Sequence, residues 1–470
     1  MAFEHATASA LRSSIGEGGV ADEAYEAALA DVGAALGRFR EAVSQAARVP
    51  APGQGRAPRP ALLRLAADAL QAAASRPAAP ARSLFAKPAG RAAAPEPTSA
   101  DLPPGVAEAA RRLAEEGVTD VVVLSGGSTL GAQVTAQLKD YGVPALGVLA
   151  PPPRAHFLDG LDPRTVGAVL RRLPLTATRF LAVSGEGGEG GAVMQAIAAL
   201  EALKRAGLGA AIPQTVVAVV EPAGAGGLGG LRSLVQAHGG VVLEHDQDPP
   251  EASSPLGAAG FAALSPTGLL PAAALGLDVS ALRRGAFEAL RSGLDAAASP
   301  RDCAPAAGAA LNLAAMRTGR SVAVMAPHAD RLALFSRWWA QLWTDALGPG
   351  GAASLPLAAP GPADARAQLF YAAGPADKLF TVVTVEPGSD DPPLPGGGPG
   401  TDPAADLLAA LAHAGRPARR IRLPRLDEAA LGALMAHMML ETALVADALG
   451  LRPFEGPSAP EPAAPEPAAS

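Results

Sequence analysis

Between Gly105 and Leu451, short runs of β-branched and aliphatic residues alternate with stretches whose apolar positions recur every three or four residues. The first pattern reads as buried strands, the second as helices packed by one face. It predicts strands at Asp120–Leu124, Ala145–Leu149, Phe180–Val183, Thr215–Val220, Val241–Leu243, Ser321–Met325, Gln368–Tyr371, Leu379–Val385 and Arg420–Leu423. Between them fall helices such as Val106–Glu116, Leu130–Asp140, Asp162–Arg172, Val193–Ala206, Leu228–His238, Val279–Ala298 and Asp330–Leu347. Such alternation predicts an α/β protein with mainly parallel sheets flanked by helices. The strands form two clusters divided near Arg301, so two domains are expected, at residues 105–300 and 301–455.

Ahead of them, Tyr25, Leu29, Val32, Leu36 and Phe39 place a helical stripe on Asp22–Ala47, and residues 1–48 read as an N-terminal helical segment. Proline and alanine dominate Val49–Pro60 and Arg76–Pro104, so residues 49–104 read as linker around a short helix, Ala61–Ala74. Residues 456–470 are rich in Pro, Ala and Glu and are expected to be disordered.

Composition narrows the function classes. The 470 residues are 49% hydrophobic and 18% charged, with a net charge of −7, which allows a large core and two or three domains. No basic stripe appears and aromatics are 4%, which argues against a nucleic-acid partner. The single cysteine, Cys303, precludes an intramolecular disulfide and fits a reducing, cytoplasmic setting. With no histidine near it in sequence it reads as a buried thiol. No continuous apolar window of membrane-spanning length is seen, so no membrane span is expected. Met1–His5 lacks the basic and apolar regions of a signal peptide, so none is expected.

Candidate chemistry sits in strand-to-helix loops. The strand Arg179–Val183 runs into Ser184-Gly185-Glu186-Gly187-Gly188-Glu189-Gly190-Gly191, and a helix runs out. Glycine-rich turns there cradle phosphate through free N–H groups and the helix dipole. Glu186 and Glu189 oppose that use. Gly126-Gly127-Ser128 lies in the matching loop of an earlier strand, where open sheets place ligands. Gly224-Ala225-Gly226-Gly227-Leu228-Gly229 matches GxGxxG, with Glu244 at the ribose-binding offset, and offers a rival reading as a dinucleotide site. Against it, Glu221-Pro222 separates strand from glycines and puts a negative charge beside the would-be pyrophosphate. His328 ends a strand, but helix capping by Asp330 accounts for that stretch. His156 precedes a loop whose Asp162 reads as a cap. Trp338, Trp339 and Trp343 share one helix and read as core or domain-interface packing. His238, His245, His413 and His437 have no metal-ligand spacing, so no metal site is expected.

Five blocks in order resemble the phosphoglucose isomerase family, whose members carry two sugar-isomerase (SIS) domains. Gly126–Gly131, GGSTLG, resembles the family's GGS.LG turn. Leu264–Val279, LSPTGLLPAAALGLDV, is similar to the stretch after GGRFS. Asp330–Gly348 resembles its DRL…F…W…QLW.ESLGK helix, Gly374–Val383 its GP.DKLFTF strand, and Leu444–Glu455 the helix leading to NPFDQPGVE. The resemblance implies a glucose 6-phosphate to fructose 6-phosphate isomerase that moves a proton through an enediolate, with no metal or organic cofactor. It also implies a homodimer and a sugar phosphate held at Gly126, Gly127, Ser128 and Ser184 to Glu189, while the composition points to no membrane or nucleic-acid partner.

The departures fall on the chemistry. In the phosphate loop, roughly SKSGNTLET in the family, only Ser184 keeps a hydroxyl, and Glu186 and Glu189 stand where a serine and a threonine are expected. Gly260 stands where the enediolate-steadying arginine of GGRFS is expected. In the stretch matching GATDQHSQLQ, Ala365 and Arg366 replace the Gln-His pair. Leu355–Pro360 offers no carboxylate as general base, and Ser458-Ala459-Pro460 replaces GVE. A carboxylate about 4 Å from a phosphate charge costs roughly 4 kcal/mol at an effective dielectric of 20. Losing an acid–base group costs about 10²–10⁴ in rate, and an oxyanion donor about 10²–10³. The expectation is a pseudoenzyme: no catalytic set, lost or weak isomerase activity, and a binding or scaffolding role, alone or beside another enzyme. Glu186 or Glu189 would then satisfy the helix N–H groups in place of a phosphate, or point into water. The alternatives are an active isomerase with Asp364 as base and Arg366 holding charge, or a dinucleotide-binding protein through Gly224–Gly229.

Overall fold

The computed structural model describes residues 4–48, 60–75, 103, 105–125, 129–140, 153–184, 189–220, 230–244, 259–348, 351, 353–361, 365–386, 402 and 404–454. In chain order the strands are β1 (Glu4–Ala6), β2 (Asp120–Ser125), β3 (Arg154–Leu158), β4 (Thr178–Val183), β5 (Val216–Val220), β6 (Val241–Glu244), β7 (Val322–His328), β8 (Leu355–Ala358), β9 (Lys378–Val385) and β10 (Ala418–Leu423). The helices are α1 (Arg12–Ile15), α2 (Asp22–Arg48), α3 (Ala61–Ser75), α4 (Val106–Leu113), α5 (Leu130–Asp140), α6 (Pro163–Arg172), α7 (Glu189–Arg205), α8 (Ile212–Thr215), α9 (Gly230–Ala237), α10 (Pro266–Ala274), α11 (Val279–Leu294), α12 (Ala304–Arg317), α13 (Ala333–Leu347), α14 (Ala365–Ala373), α15 (Ala405–His413) and α16 (Glu428–Ala448).

Among the described residues the strands form two five-stranded sheets, in the orders β3-β2-β4-β5-β6 and β1-β10-β9-β7-β8. Every pairing is parallel except β1 with β10. This is the mainly parallel, helix-flanked α/β architecture that the alternating pattern predicts. Side chains alternate across each sheet. Val121, Val123, Leu181 and Val183 face a central cluster, while Val122, Leu124, Phe180 and Ala182 face α6, α7 and α9. In the second sheet Ala323, Met325, Leu379 and Val383 join the same central cluster, and Val324, Ala326, Phe380 and Val382 face α14 and α15. Helices α2, α3, α4, α5, α10, α11, α12, α13 and α16 fill the space between the sheets. The N-terminal helix and the linker helix are therefore part of one core.

Helix α16 is apolar on every side and buried over most of its length, as a helix in the middle of a core should be. It is long and apolar enough to cross a membrane by length and composition, and 94% of its most apolar window is buried inside the protein.

Several expected elements differ. Gln368–Tyr371 is not a strand but part of α14. Ala365-Arg366-Ala367 favours helix, and Phe370, the apparent alternating apolar position, is 74% exposed. The strand at that edge is β8, which pairs with β7 through Leu355–Ala358 and tolerates Pro356 because an edge strand need not donate on its open side. The expected strand Ala145–Leu149 lies outside the described residues, and β3 pairs with β2 further along, at Arg154–Leu158. His156 is thus a strand residue ahead of that loop, and its Nε2 lies 2.7 Å from Asp120 Oδ1. Asp162 does cap α6, accepting from Arg164 N at 3.1 Å. Asp330 caps no helix through its side chain; it opens a 3₁₀ turn, Asp330–Leu332, ahead of α13. The N-terminal segment carries β1 as well as helix. Helix α7 starts at Glu189, four residues before the apolar periodicity. Residues 456–470 lie outside the described residues, as do 49–59 and 76–102 of the linker.

Candidate functional site

In the first sheet the chain leaves β2, adds β3 on one side, and then crosses to β4 on the other. Helix α5 packs on the inner face and α7 on the outer. That reversal opens a crevice at the carboxyl ends of β2 and β4, the position where open α/β sheets bind ligands. Ser125 closes β2 opposite Val183, and Ser184 follows β4; both are buried, and Ser184 N donates to Val219 O at 2.9 Å. Gly126, Gly127 and Ser128 follow Ser125, and Gly185, Glu186, Gly187 and Gly188 follow Ser184, outside the described residues. Glu189 is described only as the start of α7.

Sequence reasoning missed the polar bracket that ties these loops together. Thr129, just after the first loop, donates its hydroxyl to Asp159 Oδ1. Gln133 Nε2, one helical turn on, donates to Asp159 Oδ2 at 2.5 Å and to Thr129 Oγ1 at 3.1 Å. From α7, Gln195 Nε2 donates to Gly160 O at 2.8 Å. Asp159 therefore pins the first turn of α5 to the end of β3, and Gln195 pins α7 to the same turn. Gln195 is buried and its Oε1 has no hydrogen-bond partner. A buried polar residue on an alanine-rich helix face was the available signal. Ser125, Thr129, Gln133, Asp159, Ser184 and Gln195 include one carboxylate and no lysine or arginine. The cavity beside them, lined by Thr129, Gly131, Val183, Ala263, Thr267 and Gly268, has a volume of about 10 Å³, room for a single water.

Gly260 lies in a short 3₁₀ helix, Ala259–Leu264, pressed against α13. A Cβ built on it would stand 2.9 Å from Leu342 Cα and 3.0 Å from Leu342 Cβ. Its carbonyl accepts from Trp338 Nε1 at 3.1 Å. The backbone at 260 is thus fastened to α13 at a distance that only glycine permits. Trp338 and Trp343 are buried, Trp343 Nε1 donating to Ser354 O at 3.0 Å, so these tryptophans pack the core and the contact between the two sheets' helices.

At the carboxyl end of the second sheet, His328 ends β7 and bridges to Gly361. Gln368 Nε2 donates to Ala359 O at 2.6 Å. A Cβ on Gly361 would stand 2.8 Å from His328 Cε1 and 2.9 Å from Gln368 Nε2, so His328, Gly361 and Gln368 form one packed unit. Ala365 and Arg366 are exposed at the start of α14. Asp364 lies outside the described residues. The two sheets are joined by Gln137 of α5, whose Oε1 accepts from Leu334 N at 2.8 Å and whose Nε2 reaches Asp330 O at 3.4 Å.

Two further constellations bear on ligand readings. Residues 224–229 lie outside the described residues, but Glu244, the would-be ribose acceptor, pairs with Arg232 at 2.9 Å. His245 is also outside them. His5 of β1 and, one turn apart on α16, His437 and Glu441 bring ligand-type atoms within 4.8 Å of one another. Arg419 already occupies the charge-compensating position, donating to Glu441 Oε1 and Oε2 at 2.5 and 2.7 Å and to Thr381 Oγ1 at 2.8 Å, and approaching His5 Nε2 at 3.3 Å. Asn312 adds a bond to Glu441 at 2.9 Å. A guanidinium, not a metal, fits this donor set. Burial works to raise the Glu441 carboxyl, but the Arg419 charge and the bonds from His437 and Arg419 outweigh it and hold it at about 2. Cys303 is buried, and burial pushes its thiol up, as expected for an inert core cysteine.

No protein-family model matches the chain. Over 368 residues it is 30% identical to a glucose-6-phosphate isomerase of Rubrobacter xylanophilus, covering 74% of this chain and 82% of that protein. Over 379 residues it is 33% identical to a probable glucose-6-phosphate isomerase of Natronomonas pharaonis, covering 77% and 80%. Among solved structures, a hypothetical protein of Thermus thermophilus matches with a TM-score of 0.68 at 24% identity, covering 97% of this chain and 96% of that one. A glucose-6-phosphate isomerase of Chlamydia trachomatis matches with a TM-score of 0.54 at 16% identity, covering 74% and 70%. These two likenesses are of fold.

Proposed function

The chain belongs to the glucose-6-phosphate isomerase family, and from that premise we propose that it is a member whose isomerase chemistry is lost or weak and which acts by binding. The observation that carries the reading is Gly260. The family resemblance puts the enediolate-steadying arginine there, and the contact with Leu342 leaves no space for any side chain. An interaction worth about 10²–10³ in rate has no counterpart at that position. The polar bracket at the β2–β4 crevice supports the same reading. It offers Asp159 and neutral groups where an incoming phosphate needs donors and positive charge. Glu186 and Glu189 add carboxylates to the loop that holds phosphate in the family. The scaffold then serves as a cytoplasmic binding subunit, as a homodimer or beside another enzyme.

The loop part of this proposal has a gain-of-function test. Replacing the two acids together, Glu186→Ser with Glu189→Thr, restores the hydroxyls that the family carries and removes two repulsive charges. Calorimetric titration with fructose 6-phosphate is expected to show binding at least about tenfold tighter than in the parent protein, a conservative share of the repulsion two carboxylates impose. Unchanged affinity would contradict the role given to the glutamates.

A further inference from the structure

The second sheet takes its fifth strand from the far end of the chain. In the first sheet β6 follows β5 and lies parallel beside it. In the second, the place beside β10 is filled by β1, which is antiparallel and three residues long. Its register sets Glu4 against Arg422, His5 against Ile421 and Ala6 against Arg420. Ala6 is exposed, whereas the His5 ring turns inward and anchors the strand in the core. The chain after β1 is fastened separately. Ser9 Oγ donates to Ala418 O at 3.0 Å, Leu11 bridges to Val20, and Arg320 donates to Gly18 O and Gly19 O at 2.8 and 2.7 Å. Residues 4–6 can therefore leave the sheet without carrying α2 away.

The charges around the His5 ring are already matched to one another. Arg419 of β10 approaches its Nε2 at 3.3 Å, and His437 of α16 meets it edge-on at 5.1 Å. Glu441 of α16 pairs with Arg419 through both oxygens, accepts from Asn312 of α12 at 2.9 Å, and lies 3.2 Å from His437 Nε2. Thr381 of β9 accepts from Arg419 at 2.8 Å, and Tyr25 of α2 lies within reach of the same charge. With both imidazoles neutral, one guanidinium balances one carboxylate. A proton on His5 places a second positive charge beside Arg419, and the carboxylate of this group is already taken. Burial first, then the charges of His437 and Arg419, hold His5 well below 6.5, with Glu441 pulling the other way.

We propose that β1 is an acid-released latch: a proton taken up by His5 detaches residues 4–6 from β10 while the rest of the core stays folded, and so uncovers the edge of the second sheet. The strand is held by few backbone bonds and one inward ring, so a single buried charge is enough to shift its local equilibrium. In the detached state His5 regains solvent and its ordinary affinity for protons. Detachment is therefore favoured as pH falls below 6.5, by up to about tenfold in the opening constant for each pH unit. Above pH 6.5 the strand closes and the edge of β10 is covered.

Hydrogen exchange of the full chain, expressed as protection relative to the intrinsic rate at each pH, tests the latch. From pH 7.5 to pH 5, protection of residues 4–6 and of the β10 amides that face them is expected to fall by about tenfold or more. Small amounts of urea should leave that exchange nearly unchanged, since little surface opens, while exchange in α16 stays slower and rises with urea. His5→Gln, which keeps a polar side chain but cannot take up the proton, should flatten the pH dependence over residues 4–6. Protection of β1 that does not change with pH overturns the inference. So does exchange of β1 that matches α16 in rate and urea dependence, because opening would then be global. A pH dependence retained in His5→Gln overturns it as well, by placing the responsible proton elsewhere.

Discussion

At position 260 the absence of a side chain sets the packing against α13, and the proposed loss of chemistry rests on the same residue. Because the neighbour of the would-be Cβ is the main chain of α13, relief requires a helix to move. Gly260→Ala is expected to destabilise by about 1–3 kcal/mol in denaturant unfolding. Gly260→Arg is expected to destabilise further and to restore no isomerase activity. The arginine's absence was legible in the sequence, but its reason was not, since nothing in residues 258–262 shows that Leu342 lies against them. The bracket of Thr129, Gln133, Asp159 and Gln195 was missed for a related reason: each is ordinary alone, and they meet only after β2, β3 and β4 are placed side by side. Arg419 and Glu441 make a second test at this scale. Removing one partner of a buried pair strands the other charge, so Arg419→Met should cost about 3–5 kcal/mol, far more than an exposed pair such as Arg112 with Glu108.

Among the elements, α11 and α16 make the most intimate pair, and glycine is the reason. A Cβ on Gly285 would overlap the Ala429 carbonyl, and one on Gly432 would overlap the Leu282 carbonyl. The two backbones therefore touch at reciprocal glycines. On propensity alone Gly432→Ala in a helix should stabilise by about 0.5–1 kcal/mol. Packing reverses the sign, and a loss of about 1–3 kcal/mol or more is expected in urea unfolding. A stabilised variant would contradict the close crossing. Long amphipathic helices and the apolar central strands were readable from periodicity alone. Two edge strands were not, although the edge strand β6 was: β3 and β8 are short and bordered by proline, and bury too little to show a pattern. Helix α14 imitated a strand because its apolar residues are partly exposed and so obey no burial period.

For the molecule as a whole, the N-terminal segment is a fastening. Strand β1 covers the open edge of β10, Ser9 Oγ donates to Ala418 O at 3.0 Å, and Arg320 donates to Gly18 O and Gly19 O at 2.8 and 2.7 Å. His5 of β1 meets His437 edge-on at 5.1 Å. Burial, then the charges of His437 and Arg419, hold His5 well below its ordinary 6.5, and burial lowers His437 as well. The native state thus keeps both rings neutral while the unfolded chain takes up protons. Stability present above pH 6.5 should fall as pH drops below it, and fall again below the ordinary 4.5 of Glu441 toward its folded value of about 2. Denaturant midpoints from pH 8 to 5 check the first step, which His5→Gln should flatten. The same core that fastens the N-terminus holds together the fold of the isomerase family, and the proposed loss of chemistry leaves that core intact. The most direct test is isomerase turnover by the purified full-length protein, with millimolar fructose 6-phosphate and glucose 6-phosphate formation coupled to a dehydrogenase. No rate above the protein-free control is expected. A saturable rate that disappears in Asp364→Ala would contradict the account and return the chain to the working isomerases.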